Sequence, residues 1–349
     1  MRPHNQRHEI TRKESLILLA ALPLSACSAS DSSMTGFGTN AGDYESIQEA
    51  VDAAPEGTTV FIPAGEYTES IDLGDKQLSL RGAGPVATVL KATGGPGLIV
   101  SRDSFARHCV IEDLTIQGSP TGSHLVEIPF GLAQCTFRNV RMIQTNGNFN
   151  AMRCVRTAPL GGLFDNHFVS LLITMPTSAT MPGLFVAGPR NVASSNLFER
   201  IRTDGGGDYM IHLEATQKSY CYSNTFRSIN LERCANGGVR IFGGMGNVID
   251  GIGVFDTSII TKDVIFIGRG PGELASQGNE IRSYLRTTGR LLAGANDVHV
   301  PVGQNTGQSS IQGITSPDNI ELRVGGSLDQ ATLQLTPPFG TRRPQRRAS

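Results

Sequence analysis

A repeat with a period close to 30 residues restricts the fold of this chain more than any other feature of its sequence. Large apolar residues recur at separations of 23 to 32 positions, and we use them as anchors: Ile111, Phe137, Phe168, Phe198, Phe226, Ile249, Ile281 and Ile311. Such a period is typical of a solenoid, in which each repeat buries its apolar face against its neighbours. The 349 residues can then share one elongated core instead of two separate domains.

Further columns of equivalent residues support short strands within each repeat. The position three after each anchor is apolar or aromatic throughout: Leu114, Val140, Leu171, Ile201, Ile229, Ile252, Tyr284 and Ile314. A second strand column has inward middle residues, namely Val155, Val186, Leu213, Ile241 and Ile267. With 41 Gly, 15 Phe, no Trp and 17% charged residues, the composition also favours many short strands and tight turns.

Asparagine occupies one equivalent position, two before the anchor, in five consecutive repeats: Asn166, Asn196, Asn224, Asn247 and Asn279. Strands in a stack lie about 4.8 Å apart, so each Asn side chain can hydrogen-bond the next. We therefore interpret these residues as a structural ladder. Cys109 and Cys135 precede them in the same column, where the geometry permits a disulfide, although apolar packing is the favoured interpretation.

The segment DYESIQEAVDAAPEGTTVFIPAGEY, residues 43–67, predicts a capping helix followed by a buried strand. Asp43 is the predicted N-cap, and Pro55 and Gly57 end the helix before the strand at 59–62. This segment resembles the N-terminal cap of the pectate-lyase-like superfamily, and also the start of pectin methylesterases. The resemblance implies an all-β fold, a right-handed parallel β-helix of about ten coils over residues 41–336, with a short N-terminal capping helix.

Both ends of the chain are predicted to lie outside the helix. Residues 1–27 are typical of a signal peptide, with an apolar stretch at 16–24 that is too short to span a bilayer. Leu24-Ser25-Ala26-Cys27 resembles a bacterial lipobox, which implies lipid on Cys27; alternatively Cys27 is a small residue beside an ordinary cleavage site. Residues 28–40 are the predicted tether and 337–349 a basic disordered tail. We expect an exported protein, located in the periplasm, in the outer membrane as a lipoprotein, or at the cell surface.

Polar outward positions concentrate in the coils that carry Phe198 and Phe226. The candidate catalytic residues are His212, Tyr209, Asp204 and Glu232, and the candidate substrate-binding residues are Arg202, Arg240, Asn230, Glu214 and Arg156. In a parallel stack, outward residues at equivalent positions form surface ladders. The sequence therefore predicts one charged patch on two adjacent coils.

Three functions fit this patch. A lyase that acts on an acidic glycan would use Arg202 and Arg240 to hold a carboxylate, with His212 or Tyr209 as the base. A glycoside hydrolase or transglycosylase, including a fructotransferase-like enzyme, would use Asp204 and Glu232. A non-catalytic glycan-binding or tailspike-like protein would only grip the polymer. No residue role is carried over from the superfamily, because the Gly-His-Gly, Arg-Ile-Lys and Arg-x-Pro-x-x-Arg motifs of its enzymes are missing.

The expected partner is a polysaccharide or oligosaccharide. A net charge of −1 does not indicate nucleic acid, and membrane contact is expected only through the lipid anchor. The cysteines show no zinc-ligand spacing, so no metal site or other cofactor is expected; a calcium ion and homo-oligomer formation are left open.

Overall fold

The structure is a computed structural model that describes residues 38–101, 104–155, 161–188, 192–216, 220–234, 236–255 and 259–269. Short segments follow at 276, 278–286, 290–291, 298–299, 310–312, 314–315 and 332–334. The predicted signal peptide, Cys27, Arg156 and the basic tail lie outside the described residues. No helix within these ranges is long and apolar enough to cross a membrane.

The chain is a parallel β-helix, and all the described strand pairings are parallel. Sheet 1 contains Gly38–Asn40, Thr59–Ile62, Gly65–Thr68, Ser79–Gly82, Thr88–Lys91, Val110–Gln117, Thr136–Ile143, His167–Val169, Leu172–Thr174, Leu197–Glu199, Arg202–Asp204, Thr225–Glu232, Val248–Phe255, Glu280–Arg286, Ser310–Gln312, Ile314–Thr315 and Thr332–Gln334. Sheet 2 contains Ile71–Asp72, Leu98–Ile99, Val126–Glu127, Met152–Val155, Leu184–Gly188, Ile211–Ala215, Val239–Phe242, Ile265–Gly268 and Val298–His299. Sheet 3 contains Ala106–Arg107, Gly131–Ala133, Gly162–Phe164, Ala193–Ser194, Cys221–Tyr222 and Gly244–Met245. Ile259–Ile260 and Arg290–Leu291 form a separate pair.

The described residues form about 7 turns of the helix, fewer than the ten or so predicted. The three sheets contribute unequally, since sheet 2 has nine strands and sheet 3 has six. The first strand, Gly38–Asn40, pairs with residues 59–61, so the helix already includes residues that the sequence assigned to the tether.

The capping helix is shorter than predicted and begins later. It spans Ile47–Ala53, and its N-cap is Ser46, not Asp43, which lies in a preceding 3-10 turn. The Ser46 side chain accepts a hydrogen bond from the Glu49 backbone N–H, and the Glu49 carboxylate accepts one from the Glu45 N–H. The arrangement resembles a capping box, although the Glu49 carboxylate accepts from the residue before the N-cap; the Ser46 bond satisfies one N–H that the start of the helix leaves unpaired.

The predicted anchors form one continuous column inside the helix. The Cα partners connect Ile111 to Phe137 and each later anchor to the next one along the chain, through to Ile311. The rings of Phe168, Phe198 and Phe226 stack at centroid distances of 5.0 and 4.8 Å. The periodicity therefore predicts the register of sheet 1 correctly.

The predicted asparagine ladder is confirmed. The Asn166 Nδ2 donates to Oδ1 of Asn196 at 3.0 Å, and the same bond links each later Asn to the next as far as Asn279, at 2.8 to 2.9 Å. Each Oδ1 also accepts a backbone N–H, and each Nδ2 also donates to a backbone carbonyl. All these amides are buried and fully bonded, which is the condition for placing polar groups in a core.

The turn before the ladder uses the left-handed backbone conformation, but the Asn residues themselves do not adopt it. The residue preceding the ladder position has φ between 55° and 58° in five coils: His108, Gln134, Asp165, Ser195 and Ser223. Non-glycine residues adopt this conformation only at some cost. From Gln134 onward, ladder hydrogen bonds of the next residue oppose that cost.

Candidate functional site

An outward ladder on sheet 2 carries the first group of candidate residues. Its Cα partners run from Arg153 to Phe185, then to His212, Arg240 and Phe266. Because these residues are equivalent in a parallel stack, neighbouring side chains lie about 4.8 Å apart. The ladder brings together one imidazole, two guanidinium groups and two aromatic rings.

The predicted register of sheet 2 is wrong by one residue in the first of these coils. Cys154, not Val155, pairs with Val186 and faces the core, where it is buried. Successive strand residues point to opposite faces, so Arg153 and Val155 both face outward. Arg153 therefore occupies the position of the outward ladder next to Phe185. Its guanidinium pairs with Glu127 of the preceding coil at 2.6 Å.

His212 is buried, although it lies on the outward side of the sheet. Its side chain is only 3% exposed, because the rings of Phe185 and Phe242 lie against it with centroids at 5.0 and 5.6 Å. Burial lowers the pKa of His212, and the charge on Arg240 lowers it as well, whereas the hydrogen bond to Glu214 raises it. The imidazole is therefore neutral at pH 7.

The polar contacts of His212 involve both of its ring nitrogens. The Arg240 guanidinium lies along the imidazole edge, with Nε 3.1 Å from Nε2 and Nη2 3.0 Å from Nδ1. The Glu214 carboxylate is 3.1 Å from the same Nε2. With its proton on Nε2, the neutral imidazole donates to Glu214 and Nδ1 accepts from Nη2 of Arg240, whereas the Arg240 Nε–H then has no acceptor on His212. The hydrogen bond to His212 also lowers the pKa of Glu214, so its carboxylate is ionised.

Arg240 is the centre of this cluster. Its Nη2 is 2.9 Å from Oδ2 of Asp208, and its guanidinium carbon lies 4.5 Å from the centroid of the Tyr209 ring. Lys262 pairs with the other oxygen of Asp208. The Arg240 side chain is 20% exposed, so it can contact both the buried imidazole and a molecule bound outside.

Tyr209 lies beneath the Arg240 guanidinium and is itself buried. Burial raises the pKa of Tyr209 to about 12, the negative charge of Asp263 adds to the rise, and Arg240 opposes it. The phenol is therefore protonated at neutral pH. It provides a ring face for the guanidinium, an arrangement that stabilises a cation.

The second group of candidate residues forms an exposed patch on sheet 1. Arg202 and Asn230 are Cα partners, as are Asp204 and Glu232, in the register that the sequence predicts. The Arg202 guanidinium pairs with Glu232 at 2.6 Å. The carboxylate of Asp204 is bound through both oxygens by Arg233, with Nε 2.6 Å from Oδ1.

The predicted single patch is thus two groups of side chains on different sheets. The sheet 1 patch comprises Arg202, Asp204, Asn230, Glu232 and Arg233. The sheet 2 cluster comprises Asp208, Tyr209, His212, Glu214, Arg240 and Lys262. The repeat does not indicate the roles of Lys262 and Arg233. Lys262 follows the strand Ile259–Ile260 and Arg233 follows the strand Thr225–Glu232, so neither lies in a column that the repeat aligns.

No metal centre is evident in the part of the chain that the structure describes. None of its His, Cys, Asp and Glu side chains form a group of three or more that could hold a metal ion.

Comparisons with known proteins show the fold. No family model and no curated protein match the sequence. The ORF18 protein of Geobacillus virus E2 matches with a TM-score of 0.53 and 14% identity, over 80% of this chain and 61% of that one. This chain therefore spans about 61% of the length of that viral protein.

Two bacterial enzymes match less well. The GH87 α-1,3-glucanase of Streptomyces thermodiastaticus has a TM-score of 0.48 and 16% identity, covering 86% of this chain and 67% of that one. An alginate lyase from Paenibacillus sp. has a TM-score of 0.43 and 12% identity, covering 86% and 97%.

Proposed function

We propose that the protein is a polysaccharide lyase that cleaves an acidic glycan by β-elimination. The observation that carries the proposal is the contact between Arg240 and the buried, neutral imidazole of His212. β-Elimination requires a cation beside the substrate carboxylate and a base at the C5 proton. This contact places one group of each kind side by side in a partly buried site.

The reaction assigns a separate role to each nitrogen of His212. A guanidinium binds a carboxylate through two parallel hydrogen bonds, so Arg240 turns from Nδ1 to the substrate carboxylate and leaves Nδ1 free. Nδ1 then accepts the C5 proton, the electrons form the C4–C5 double bond, and the glycosidic oxygen leaves as an alkoxide that water protonates. Glu214 keeps the proton on Nε2 and stabilises the imidazolium that results.

The site favours His212 over Tyr209 as the base. With a pKa of about 12, the Tyr209 phenol holds its proton at neutral pH and cannot accept another from C5. The lowered pKa of His212 keeps its imidazole unprotonated at the same pH. We therefore assign Tyr209 the role of supporting Arg240 from beneath.

The hydrolase alternative has weaker support. Hydrolysis needs one carboxylic acid and one free carboxylate that face the same bond. Asp204 is bound by Arg233 through both oxygens, and Glu232 is bound by Arg202. Both carboxylates are thus engaged by guanidinium groups instead of facing each other across an open site.

A carbohydrate polymer as substrate is part of the proposal. It is supported by the resemblance of residues 43–67 to the cap of the pectate-lyase-like superfamily and by the parallel β-helix itself, and a shared fold indicates a substrate class only by analogy. We also propose that the protein works outside the cytoplasm, as the lipobox at Leu24-Ser25-Ala26-Cys27 suggests.

The proposal is tested by incubating the protein with polygalacturonate, alginate and a neutral glucan. We expect a rise in near-ultraviolet absorbance, which reports the unsaturated uronate, on one acidic polymer only. His212→Gln should abolish the rise, and the matched change Glu232→Gln in the sheet 1 patch should preserve it. Thermal unfolding of both variants checks that each is folded.

Two other results would contradict the proposal. Reducing ends that appear without the absorbance, and are lost in Asp204→Asn, would indicate a hydrolase. Binding of a polymer without any product would indicate a glycan-binding protein.

A further inference from the structure

Two thiols occupy the same column as the asparagine ladder, immediately before it. Cys109 and Cys135 are both buried and are free thiols in the structure. The backbone N–H of Cys135 donates to Oδ1 of Asn166, so the ladder hydrogen bonding reaches Cys135. We propose that Cys109 and Cys135 are a cross-linking site, at which an intramolecular disulfide joins two adjacent coils under oxidising conditions.

The backbone places the two cysteines at the separation that a disulfide requires. The next residues along the chain, Val110 and Thr136, are in-register Cα partners, and the Thr136 N–H donates to the Cys109 carbonyl at 2.9 Å. Adjacent parallel strands lie about 4.8 Å apart, and disulfides join Cα atoms about 4.4–6.8 Å apart. The strand spacing therefore falls within the Cα range of a disulfide.

The side chains face each other as well. Interaction between the two thiols raises the pKa of Cys109 and lowers that of Cys135, while each Sγ also lies within hydrogen-bond distance of a backbone carbonyl. Cys154, Cys221 and Cys234 are buried in other positions of the coil, away from this column. The pairing is therefore specific to the two residues that replace Asn in the ladder.

The cross-link forms by thiol–disulfide exchange with a disulfide oxidant such as oxidised glutathione. The Cys135 thiolate attacks one sulfur of the oxidant, which releases one glutathione thiolate and leaves a mixed disulfide on Cys135. The Cys109 thiolate then displaces the second glutathione. Two thiol protons and two electrons pass from the protein to the oxidant, which becomes two glutathione thiols. Because both residues are buried in the folded helix, the exchange takes place while the coils are assembling.

The disulfide would join the two coils that carry Cys109 and Cys135, where no amide hydrogen bond of the ladder connects them. Between Asn residues, each coil is tied to the next by an amide hydrogen bond, and a thiol cannot form that bidentate contact. A covalent bond closes a loop of 26 positions, from 109 to 135, and restricts the unfolded chain. It therefore secures the part of the helix that precedes the ladder.

The proposal is tested by refolding the full chain in a glutathione redox buffer and in a reducing buffer. Unfolded samples are alkylated before and after reduction, then digested and analysed by mass spectrometry. We expect a disulfide-linked peptide pair containing Cys109 and Cys135 only in the oxidised sample. The melting temperature of that sample should exceed that of the reduced one by about 5 °C.

Matched variants separate the cross-link from simple packing. Cys109→Ala should remove the linked peptide and the temperature difference, whereas Cys154→Ala should keep both. If Cys109→Ala does not fold, Cys135→Asn provides a second variant, because it extends the amide ladder in place of the thiol. Alkylation of both thiols in the oxidised wild-type sample without prior reduction would overturn the proposal, as would a disulfide between other cysteines.

Discussion

The sheet 2 cluster and the sheet 1 patch contain the same kinds of charged group but differ in exposure. In the sheet 1 patch, the Arg202 side chain is 58% exposed and pairs with Glu232. In the sheet 2 cluster, Arg240 is 20% exposed and covers an imidazole that is 3% exposed. Exposed ion pairs are worth about 0–1 kcal/mol and are screened by salt, whereas partly buried groups acquire altered pKa values. The sheet 2 cluster is therefore the better candidate for an active site on this solenoid, because it combines a buried imidazole with a partly buried guanidinium.

The largest effect that we expect concerns the base. His212→Ala should lower the turnover of the acidic polymer about 1000-fold, within the range that general base catalysis contributes. The control is Asp204→Asn in the sheet 1 patch, which should change turnover less than 3-fold, on the order expected for a surface charge. Initial rates of ultraviolet absorbance give both values. Equal losses in the two variants would show that the comparison between the regions is wrong.

Loss of the proposed contact between Arg240 and the substrate carboxylate should have the next largest effect. Arg240→Gln should lower kcat/KM about 100-fold, since it removes the charged donor that faces the substrate. Arg202→Gln is the matched variant on sheet 1 and should have little effect. Arg240→Lys should restore only part of the rate, because an ammonium cannot form two parallel hydrogen bonds.

The stability of the two ion pairs should differ as well. A double-mutant cycle on Arg240 and Asp208 should give a coupling free energy of about 1–2 kcal/mol, because both groups are mostly buried. The same cycle on Arg202 and Glu232 should give less than about 1 kcal/mol. Denaturant unfolding measures both cycles. Coupling energies of equal size would remove the distinction that exposure makes between the pairs.

A smaller effect concerns pH. The folded-state pKa of His212 lies below its ordinary value of 6.5, so its neutral, active form persists below pH 6.5. The acid limb of kcat/KM should therefore be half-maximal below pH 6.5 and flat from there to pH 7. Protonation of the buried imidazole also costs stability, which should fall as the pH drops from 6.5 toward the folded-state pKa. A half-maximal rate above pH 6.5 would argue against His212 as the base.

Most of the fold could be predicted from the sequence because the repeat itself contains the information. Anchors such as Phe168 and Phe198, and the ladder residues Asn196 and Asn224, recur at equivalent positions, so their alignment also gives the register. The sequence pattern places the N-cap at Asp43, whereas the structure places it at Ser46. The choice of Ser46 depends on its partner Glu49, three residues further on.

The candidate site could be predicted only in part. The Cα partners of Asp204 and Arg202 follow from the register of sheet 1, which is correct, but the ion pair between Asp204 and Arg233 does not follow from it. The burial of His212 depends on the rings of Phe185 and Phe242, which contact it from neighbouring coils. The position of Arg153 in the outward ladder depends on a one-residue shift in the register of sheet 2. Lys262 lies in a connection whose length varies from coil to coil. Periodicity specifies the strands, but the contacts between connections depend on three-dimensional packing.

The asparagine ladder has a direction. From Asn166 to Asn247 every side-chain amide donates to the Asn Oδ1 of the next coil toward the C-terminus, and Asn279 accepts the last of these bonds, so the amides polarise one another in the same direction. The column is thus a continuous chain of amide hydrogen bonds along the axis of the solenoid. Loss of the amide at Asn224, in its middle, would divide this chain into two shorter chains, whereas loss at Asn279 would only shorten it. Cooperativity along the axis is therefore greatest in the middle coils, which also carry His212 and Arg240.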